Sequence, residues 1–174
     1  MGKSKQYVIP FSGLKLGKHE FKFTAKKEFF DQYAFDEFNQ IDTVAVVELE
    51  KLSTMMILNF NVSGTISTIC DRCTDQLEVS FETEEKLFAK FGDGESEDEN
   101  IVFLPQAEYQ IDVSKYIYEY VITSISTSRV HEYEEDCNQD ILKRISSMAV
   151  DLEEENNEEE INPMWAKLKE LKNK

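Results

Sequence analysis

Apolar and polar residues alternate along much of the first half of the chain, a pattern typical of β-strands with one buried face. The alternation is longest in two segments, Met55 to Cys70 and Leu77 to Phe91, which a short turn separates. In the second segment the alternation breaks near Leu87-Phe88, which indicates a β-bulge. Shorter alternating segments predict further strands at Tyr7 to Pro10, His19 to Ala25 and Thr43 to Leu52.

The periodicity changes to that of a helix in three places. Apolar residues at helical spacing predict a short helix over Lys27 to Phe35 and another over Asp140 to Met148. Asp112 begins the clearest helix, because its carboxylate can accept the unpaired backbone N–H groups of a first turn. The apolar face of that helix consists of Val113, Tyr116, Ile117, Tyr120, Val121 and Ser124.

The tyrosines of this helix allow two interpretations. Tyr116, Tyr118 and Tyr120 can form an aromatic platform that stacks on nucleic-acid bases. Alternatively, they pack in the core, and this interpretation is favoured because Tyr116 and Tyr120 share the apolar face.

Together these elements predict an α+β fold. We expect a predominantly antiparallel β sheet or a partly open barrel, with a few short packed helices and a flexible acidic C-terminal tail. Residues 1–149 should form a single β-rich domain, 150–161 an acidic linker and 162–174 a short amphipathic helix. Because Pro163 suits a first helical position and Trp165 and Leu168 share one stripe, this helix is a candidate docking element.

The net charge of -16 is concentrated in three acidic runs, 93–99, 132–136 and 151–160. The rest of the chain is neutral overall, so it has no general basic footprint for RNA. Residues 1–27 carry seven lysines against one glutamate, which allows a local basic face that binds a partner. The alternative is an ordinary solvated surface. The candidate partner-binding residues on this face are Lys15, Lys18, Lys22, Lys26 and Lys27.

Several classes of protein are disfavoured. The chain has no apolar run of about 18 residues, so we expect no membrane span, and no apolar segment follows the first lysines, so we expect no signal peptide. Three cysteines are too few for a disulfide scaffold and fit a reducing cytoplasm. Because no phosphate loop, catalytic triad or H-E-x-x-H motif occurs, we expect neither an enzyme nor a small-molecule substrate.

Two of the cysteines, Cys70 and Cys73, lie at C-x-x-C spacing between the two longest predicted strands. This places them at the tip of a hairpin, where two sulfur atoms can converge on one zinc ion. The same spacing serves thiol–disulfide exchange, but that chemistry prefers a helix N-terminus, whereas a strand follows here. A third interpretation is a pair of ordinary thiols at a turn.

A closed zinc site requires two further ligands, and the segment 131–137 offers them. His131 and Cys137 would complete a Cys3His site with Cys70 and Cys73. The acidic residues beside Cys137 disfavour its thiolate unless a cation is present. The other histidine, His19, lies in a predicted strand and is better explained as a surface or half-buried residue.

Four short motifs in this order resemble the YceD-like family, the large ribosomal RNA subunit accumulation proteins. The last motif is similar to the family's D-P-R-W-x-x-L-x-x-L ending, with Asn162 in place of Asp and Met164 in place of Arg. The four motifs are Cys70-Asp71-Arg72-Cys73, Ile111-Asp112-Val113-Ser114 running to Glu119, Arg129-Val130-His131 with Cys137, and Asn162-Pro163-Met164-Trp165-Ala166-Lys167-Leu168.

The resemblance implies a bacterial cytoplasmic protein without catalytic activity that supports accumulation or maturation of large-subunit (23S) ribosomal RNA. The expected partners are the ribosomal RNA precursor or large-subunit ribosomal proteins. An alternative is an acidic adaptor that docks proteins through its C-terminal Trp165 helix without contacting RNA. A redox or metal-dependent enzyme is a third hypothesis, and it would require a perturbed thiol at Cys70 or Cys73.

Overall fold

A five-stranded sheet and three helices account for most of the computed structural model, which describes residues 5–34 and 37–148. The expected linker and C-terminal helix, with Pro163, Trp165 and Leu168, lie outside the described residues. The elements are β1 (Val8–Pro10), β2 (Gly17–Lys26), α1 (Lys27–Asp31), β3 (Gln40–Lys51), β4 (Met55–Ile69), β5 (Gln76–Phe91), β6 (Ile101–Leu104), β7 (Gln110–Asp112), α2 (Ser114–Ser124) and α3 (Gln139–Met148), with turns of 3-10 helix at Lys5–Tyr7 and Glu134–Asp136.

The chain divides into two compact units, Met1–Asn138 and Gln139–Lys174. The described part of the second unit is α3, which the helical pattern of Asp140 to Met148 predicts. No helix within 5–34 and 37–148 has the length and apolar character needed to cross a membrane.

The main sheet has the strand order β2-β3-β4-β5-β6. Neighbours from β2 to β5 are antiparallel, whereas β6 runs parallel to β5. The predicted α+β fold with a mostly antiparallel sheet is confirmed. Of the two expected forms, the structure has the open sheet and not the partly open barrel, with β2 and β6 as its edges.

The buried face of the sheet carries the core. Alternate residues of β3, β4 and β5 point into it, and α2 packs across β4 and β5. The strands β1 and β7 pair antiparallel as a second, two-stranded sheet, next to the start of α2. The largest side chains that are fully buried include Ile9, Phe30, Val47, Leu49, Met56, Leu58, Phe60, Leu87 and Ile117.

The tyrosines of α2 pack against this core. Phe60 lies 5.1 Å from Tyr120 and 6.4 Å from Tyr116 between ring centroids. Tyr118 stacks on Tyr33 with the rings 4.2 Å apart. The core-packing interpretation is therefore confirmed.

The start of α2 differs from the prediction by one position. Asp112 is the last residue of β7, and Val113 occupies the N-cap. The carboxylate of Asp112 still accepts the backbone N–H of Ser114 at 2.9 Å and its hydroxyl at 2.6 Å. The prediction of a carboxylate that binds the first turn is confirmed, although Asp112 is not itself the cap.

The predicted bulge in β5 is wrong. The register between β4 and β5 is continuous from Met55 opposite Lys90 to Ile69 opposite Gln76. Leu87 is buried in the core, whereas Phe88 points to the other face of the sheet, where its partner is Ile57. Two adjacent apolar residues broke the sequence pattern because each face of the sheet accepts one of them.

The helix predicted over Lys27 to Phe35 is shorter than expected. It ends at Asp31, and Ala34 then adopts φ +57°, which a continuing right-handed helix does not allow. Phe29 and Phe30 are buried on its inner side.

The packing around Gly64 gives a test of the sheet. A Cβ at this position would meet the backbone oxygen of Asp42 and, at 2.8 Å, the ring of Phe81. We expect Gly64→Ala to lower the free energy of unfolding by about 1–3 kcal/mol, because the sheet must shift to admit a methyl group. Urea denaturation measures this change.

Gly13→Ala is the matched control, since a Cβ at Gly13 meets nothing within 4 Å. A Gly64→Ala protein that unfolds at the same urea concentration as the wild type would show that this packing is loose.

Candidate metal centre

The turn between β4 and β5 places Cys70 and Cys73 together. Its backbone is closed by two hydrogen bonds, from the N–H of Cys70 to the oxygen of Asp75 at 2.8 Å and from the N–H of Thr74 to the oxygen of Cys70 at 2.9 Å. Thr74 adopts φ +63°, which reverses the chain tightly. The predicted hairpin tip is confirmed, and a strand follows Cys73, which is not the helical setting that thiol–disulfide exchange prefers.

A second segment, 129–137, lies against this tip. The backbone N–H of Asp71 donates to the oxygen of Arg129 at 2.7 Å, and the N–H of Arg129 donates to the Asp71 carboxylate at 2.7 Å. These reciprocal bonds fix the chain two residues before His131. A turn of 3-10 helix then leads to Cys137, whose N–H donates to the oxygen of Glu134 at 3.1 Å.

The predicted ligand set is brought together. One potential ligand atom from each of Cys70, Cys73, His131 and Cys137 lies within 4.8 Å of the other three. His131 Nδ1 is 3.6 Å from the sulfur of Cys73 and 3.6 Å from that of Cys137. All three cysteines are buried free thiols, and His131 is half-buried. The four side chains can therefore hold a metal ion.

The spacing and chemistry of this cluster fit a tetrahedral ion. Ideal zinc–sulfur and zinc–nitrogen bonds place a sulfur and a nitrogen ligand roughly 3.5 Å apart. The two distances from His131 Nδ1 are close to this value. Three sulfur donors and one imidazole form a set that structural zinc sites use and that magnesium and calcium avoid.

The pKa values of two cysteines of the cluster, Cys70 and Cys137, are shifted in opposite directions. Burial raises the pKa of the Cys70 thiol, but backbone N–H groups of Cys73, His131 and Arg72 together with the Cys73 side chain outweigh burial and lower the pKa to about 6. Burial raises the pKa of Cys137, and hydrogen bonding and charge from Cys73 and Cys70 raise it further, to about 11. A bound cation would reverse the second effect, because it stabilises every thiolate that it coordinates.

Two arginines surround the cluster. Arg72 Nη1 lies 3.8 Å from the Cys137 sulfur, where its charge offsets that of a thiolate. Arg129 is largely buried, pairs with Glu37 at 2.6 Å and lies over the ring of Phe38 at 5.4 Å. The contact partners of both arginines are too distant in sequence for any local pattern to indicate them.

The candidate lysines lie elsewhere in the first unit. Lys18, Lys22 and Lys26 share the exposed face of β2. Lys18 pairs with Glu48 at 2.9 Å and Lys26 with Asp42 at 3.8 Å. Lys27 pairs with Asp31 at 3.7 Å, and Lys15 is exposed in the loop before β2. Lysines on an edge strand also prevent unwanted strand pairing, so their predicted partner binding stays a prediction.

Comparison with known proteins gives one match. A family model described as Large ribosomal RNA subunit accumulation protein YceD matches residues 58–172, about two thirds of the chain. The matched region includes the cluster, α2 and most of β4, whereas β2 and its lysines precede it. Neither the curated proteins nor the solved structures include a match.

The contact between Asp71 and Arg129 predicts how the thiols are protected. We expect Asp71→Ala to accelerate alkylation of the three cysteines by at least about tenfold in chelator-treated protein, because losing a hydrogen bond to a charged group costs about 1.5–3 kcal/mol. The thiols are buried, so the reagent reaches them only when the segment 129–137 opens.

Asp71→Asn is the control, since it keeps an acceptor oxygen, and its alkylation rate should stay within about threefold of the wild-type rate. Equal rates for Asp71→Ala and wild type would mean that other contacts hold the segment closed. Mass spectrometry of the alkylated peptides gives the rate at each cysteine.

Proposed function

The chain belongs to the YceD family of large ribosomal RNA subunit accumulation proteins, and on this premise we propose that it is a non-enzymatic ribosome-biogenesis factor. It would support the accumulation or maturation of large-subunit (23S) ribosomal RNA in the bacterial cytoplasm. The match over residues 58–172 is the observation that carries the proposal, because it spans all four residues of the Cys3His cluster.

We further propose that the cluster binds one zinc ion with a structural role. Cys70 and Cys73 would supply two ligands from the hairpin tip, and His131 and Cys137 two from the segment 129–137. Four protein ligands leave no open position for a substrate, which distinguishes a structural site from a catalytic one. The ion would supply charge neutralisation and crosslinking, so that two segments far apart in sequence keep one arrangement.

The proposed partners are the ribosomal RNA precursor or large-subunit ribosomal proteins. Lys22 supports contact with RNA, because it is exposed on β2 and no acidic side chain in the described part of the chain pairs with it. Contacts between lysines and phosphates would weaken steeply with salt. The adaptor alternative depends on Trp165, which lies outside the described residues, so nothing in the structure favours it.

Metal analysis tests the zinc proposal. We expect about one zinc per chain after purification without chelators, and much less in Cys70→Ser, because the variant loses one of four ligands. His131→Ala should also lower the zinc content, whereas the matched variant His19→Ala should not, since His19 lies outside the cluster and its ring hydrogen-bonds to the backbone oxygen of Lys15 at 2.8 Å.

Zinc removal should also lower the unfolding temperature of the wild type, because binding to a folded site contributes to folding free energy. Wild-type protein that is free of metal and unfolds at the same temperature with and without added zinc would refute the proposal.

The ribosomal function has its own test. In cells that lack this chain, we expect the ratio of 23S to 16S ribosomal RNA to fall, since the large-subunit RNA would no longer accumulate normally. The wild-type gene should restore the ratio and Cys70→Ser should not, while His19→Ala serves as the matched control. Quantitative electrophoresis of total RNA measures the ratio, and an unchanged ratio in the deletion strain would contradict the proposed function.

A further inference from the structure

One long edge of the main sheet is open. β6 pairs with β5 only from Phe88 to Phe91. In the described part of the chain, residues 76–87 of β5 have no strand on that side. Such an edge presents backbone donors and acceptors to an extended segment of another protein.

A cavity of about 590 Å³ lies beside this edge, between α2 and the start of β6. Tyr116 and Tyr120 form its aromatic wall, with ring centroids 6.4 Å apart. Buried Phe60 supports both rings from behind. Neither hydroxyl has a hydrogen-bond partner among the residues that the structure describes, so both can serve a ligand.

The charge around this cavity is negative. Glu85, Glu99 and Glu119 line it together with a single lysine, Lys115, which pairs with Glu119 at 3.4 Å on an exposed surface. Burial and then the charge of Glu85 raise the pKa of Tyr120 to about 12.

A second cavity, of about 650 Å³, lies on the outer face of the sheet. The two share Glu85 and Asn100. The second cavity is also lined by four other acidic residues, and Lys86 is the one cation among the described residues of its lining. The acidic residues are Glu20, Glu48, Glu84 and Asp98. We call the two cavities together the acidic notch.

We propose that the acidic notch binds a lysine- and arginine-rich segment of a partner protein, with an arginine side chain in the cavity walled by Tyr116 and Tyr120. A guanidinium can stack on a tyrosine ring and also pair with a carboxylate such as Glu85. An RNA strand does not fit, because its phosphates would face the carboxylates of the notch. The open edge of β5 favours a polypeptide as well.

This inference depends on the proposed function in one respect only: the function suggests that the partner is a basic polypeptide. Proteins that bind ribosomal RNA carry lysine and arginine for contact with its phosphates, so a factor that acts on a ribosomal precursor meets basic polypeptides. The notch would give the family function a protein-binding surface distinct from the Cys3His cluster.

Binding of a synthetic peptide to the full chain tests the proposal. The probe is a fluorescein-labelled peptide of alternating arginine and glycine, about twelve residues long, measured by fluorescence anisotropy. We expect Glu85→Gln/Glu119→Gln to weaken binding at least about tenfold, because two charge-assisted contacts become neutral. The matched control is Glu28→Gln/Glu108→Gln, which removes the same charge from exposed positions that do not line the notch.

The control should bind the peptide within about twofold of the wild-type affinity. Equal weakening in both double variants would overturn the proposal, because net charge alone would then explain binding. Wild-type affinity in the notch variant would overturn it as well. Circular dichroism melting confirms that each variant is folded.

The tyrosine wall predicts a preference for arginine. A lysine–glycine peptide of equal length should bind several-fold more weakly than the arginine peptide, since guanidinium stacks on tyrosine better than ammonium does. Tyr116→Leu should remove this preference. Equal affinity of the two peptides for the wild type would count against the assigned occupant.

The peptide-binding and RNA-ratio experiments together distinguish failure of this inference from failure of the proposed function. Peptide binding that depends on the notch, together with a normal 23S to 16S ratio in the deletion strain, would support the notch and reject the ribosomal function. A lowered ratio together with peptide binding that ignores the notch would reject the notch alone.

Discussion

Four potential ligand atoms lie close together in a site with little access to water, and this proximity constrains the hairpin tip and the segment 129–137. A thiolate on Cys70 is stabilised by backbone N–H groups that point at its sulfur, whereas a thiolate on Cys137 is opposed by burial and by the other sulfur atoms. Neutral thiols avoid this conflict but leave the N–H donors without a charge to stabilise. A divalent cation removes the conflict, because it permits all three thiolates to share one positive centre. The hairpin tip and the segment 129–137 are arranged as such a centre requires.

Strands and helices that produce a regular spacing of apolar residues could be predicted from the sequence. The long strands on either side of Cys70 and Cys73 follow from alternation, because a sheet with one buried face imposes a period of two. The candidate ligand set can be predicted from cysteine spacing and from the few histidines available. The reciprocal bonds between Asp71 and Arg129 could not be predicted, since these residues are 58 positions apart and neither belongs to a periodic pattern.

Further features of the structure could not be predicted from local sequence patterns. The short strand β6 pairs in parallel with β5, and only the path of the loop 92–100 determines that direction. Phe88 is apolar but lies on the outer face opposite Ile57. Because apolar residues were assigned to the core, the sequence pattern wrongly predicted a bulge at this point. Likewise, the acidic run 93–99 does not by itself indicate the notch, because Glu85 and Glu119 come from other elements and belong to none of the three runs.

The arrangement of charge on the sheet also bears on how one small unit can contact two kinds of partner. The strand order places Lys22 and Lys26 on the edge strand β2, and Glu85 three strands away on β5. Three strand spacings amount to roughly 14 Å, which exceeds the screening length of about 8 Å at physiological ionic strength. Exposed charges at the two edges therefore neutralise one another only weakly. The part of the notch around Glu85 would therefore bind a basic polypeptide while Lys22 and Lys26 contact phosphates, and a ribosomal precursor contains both.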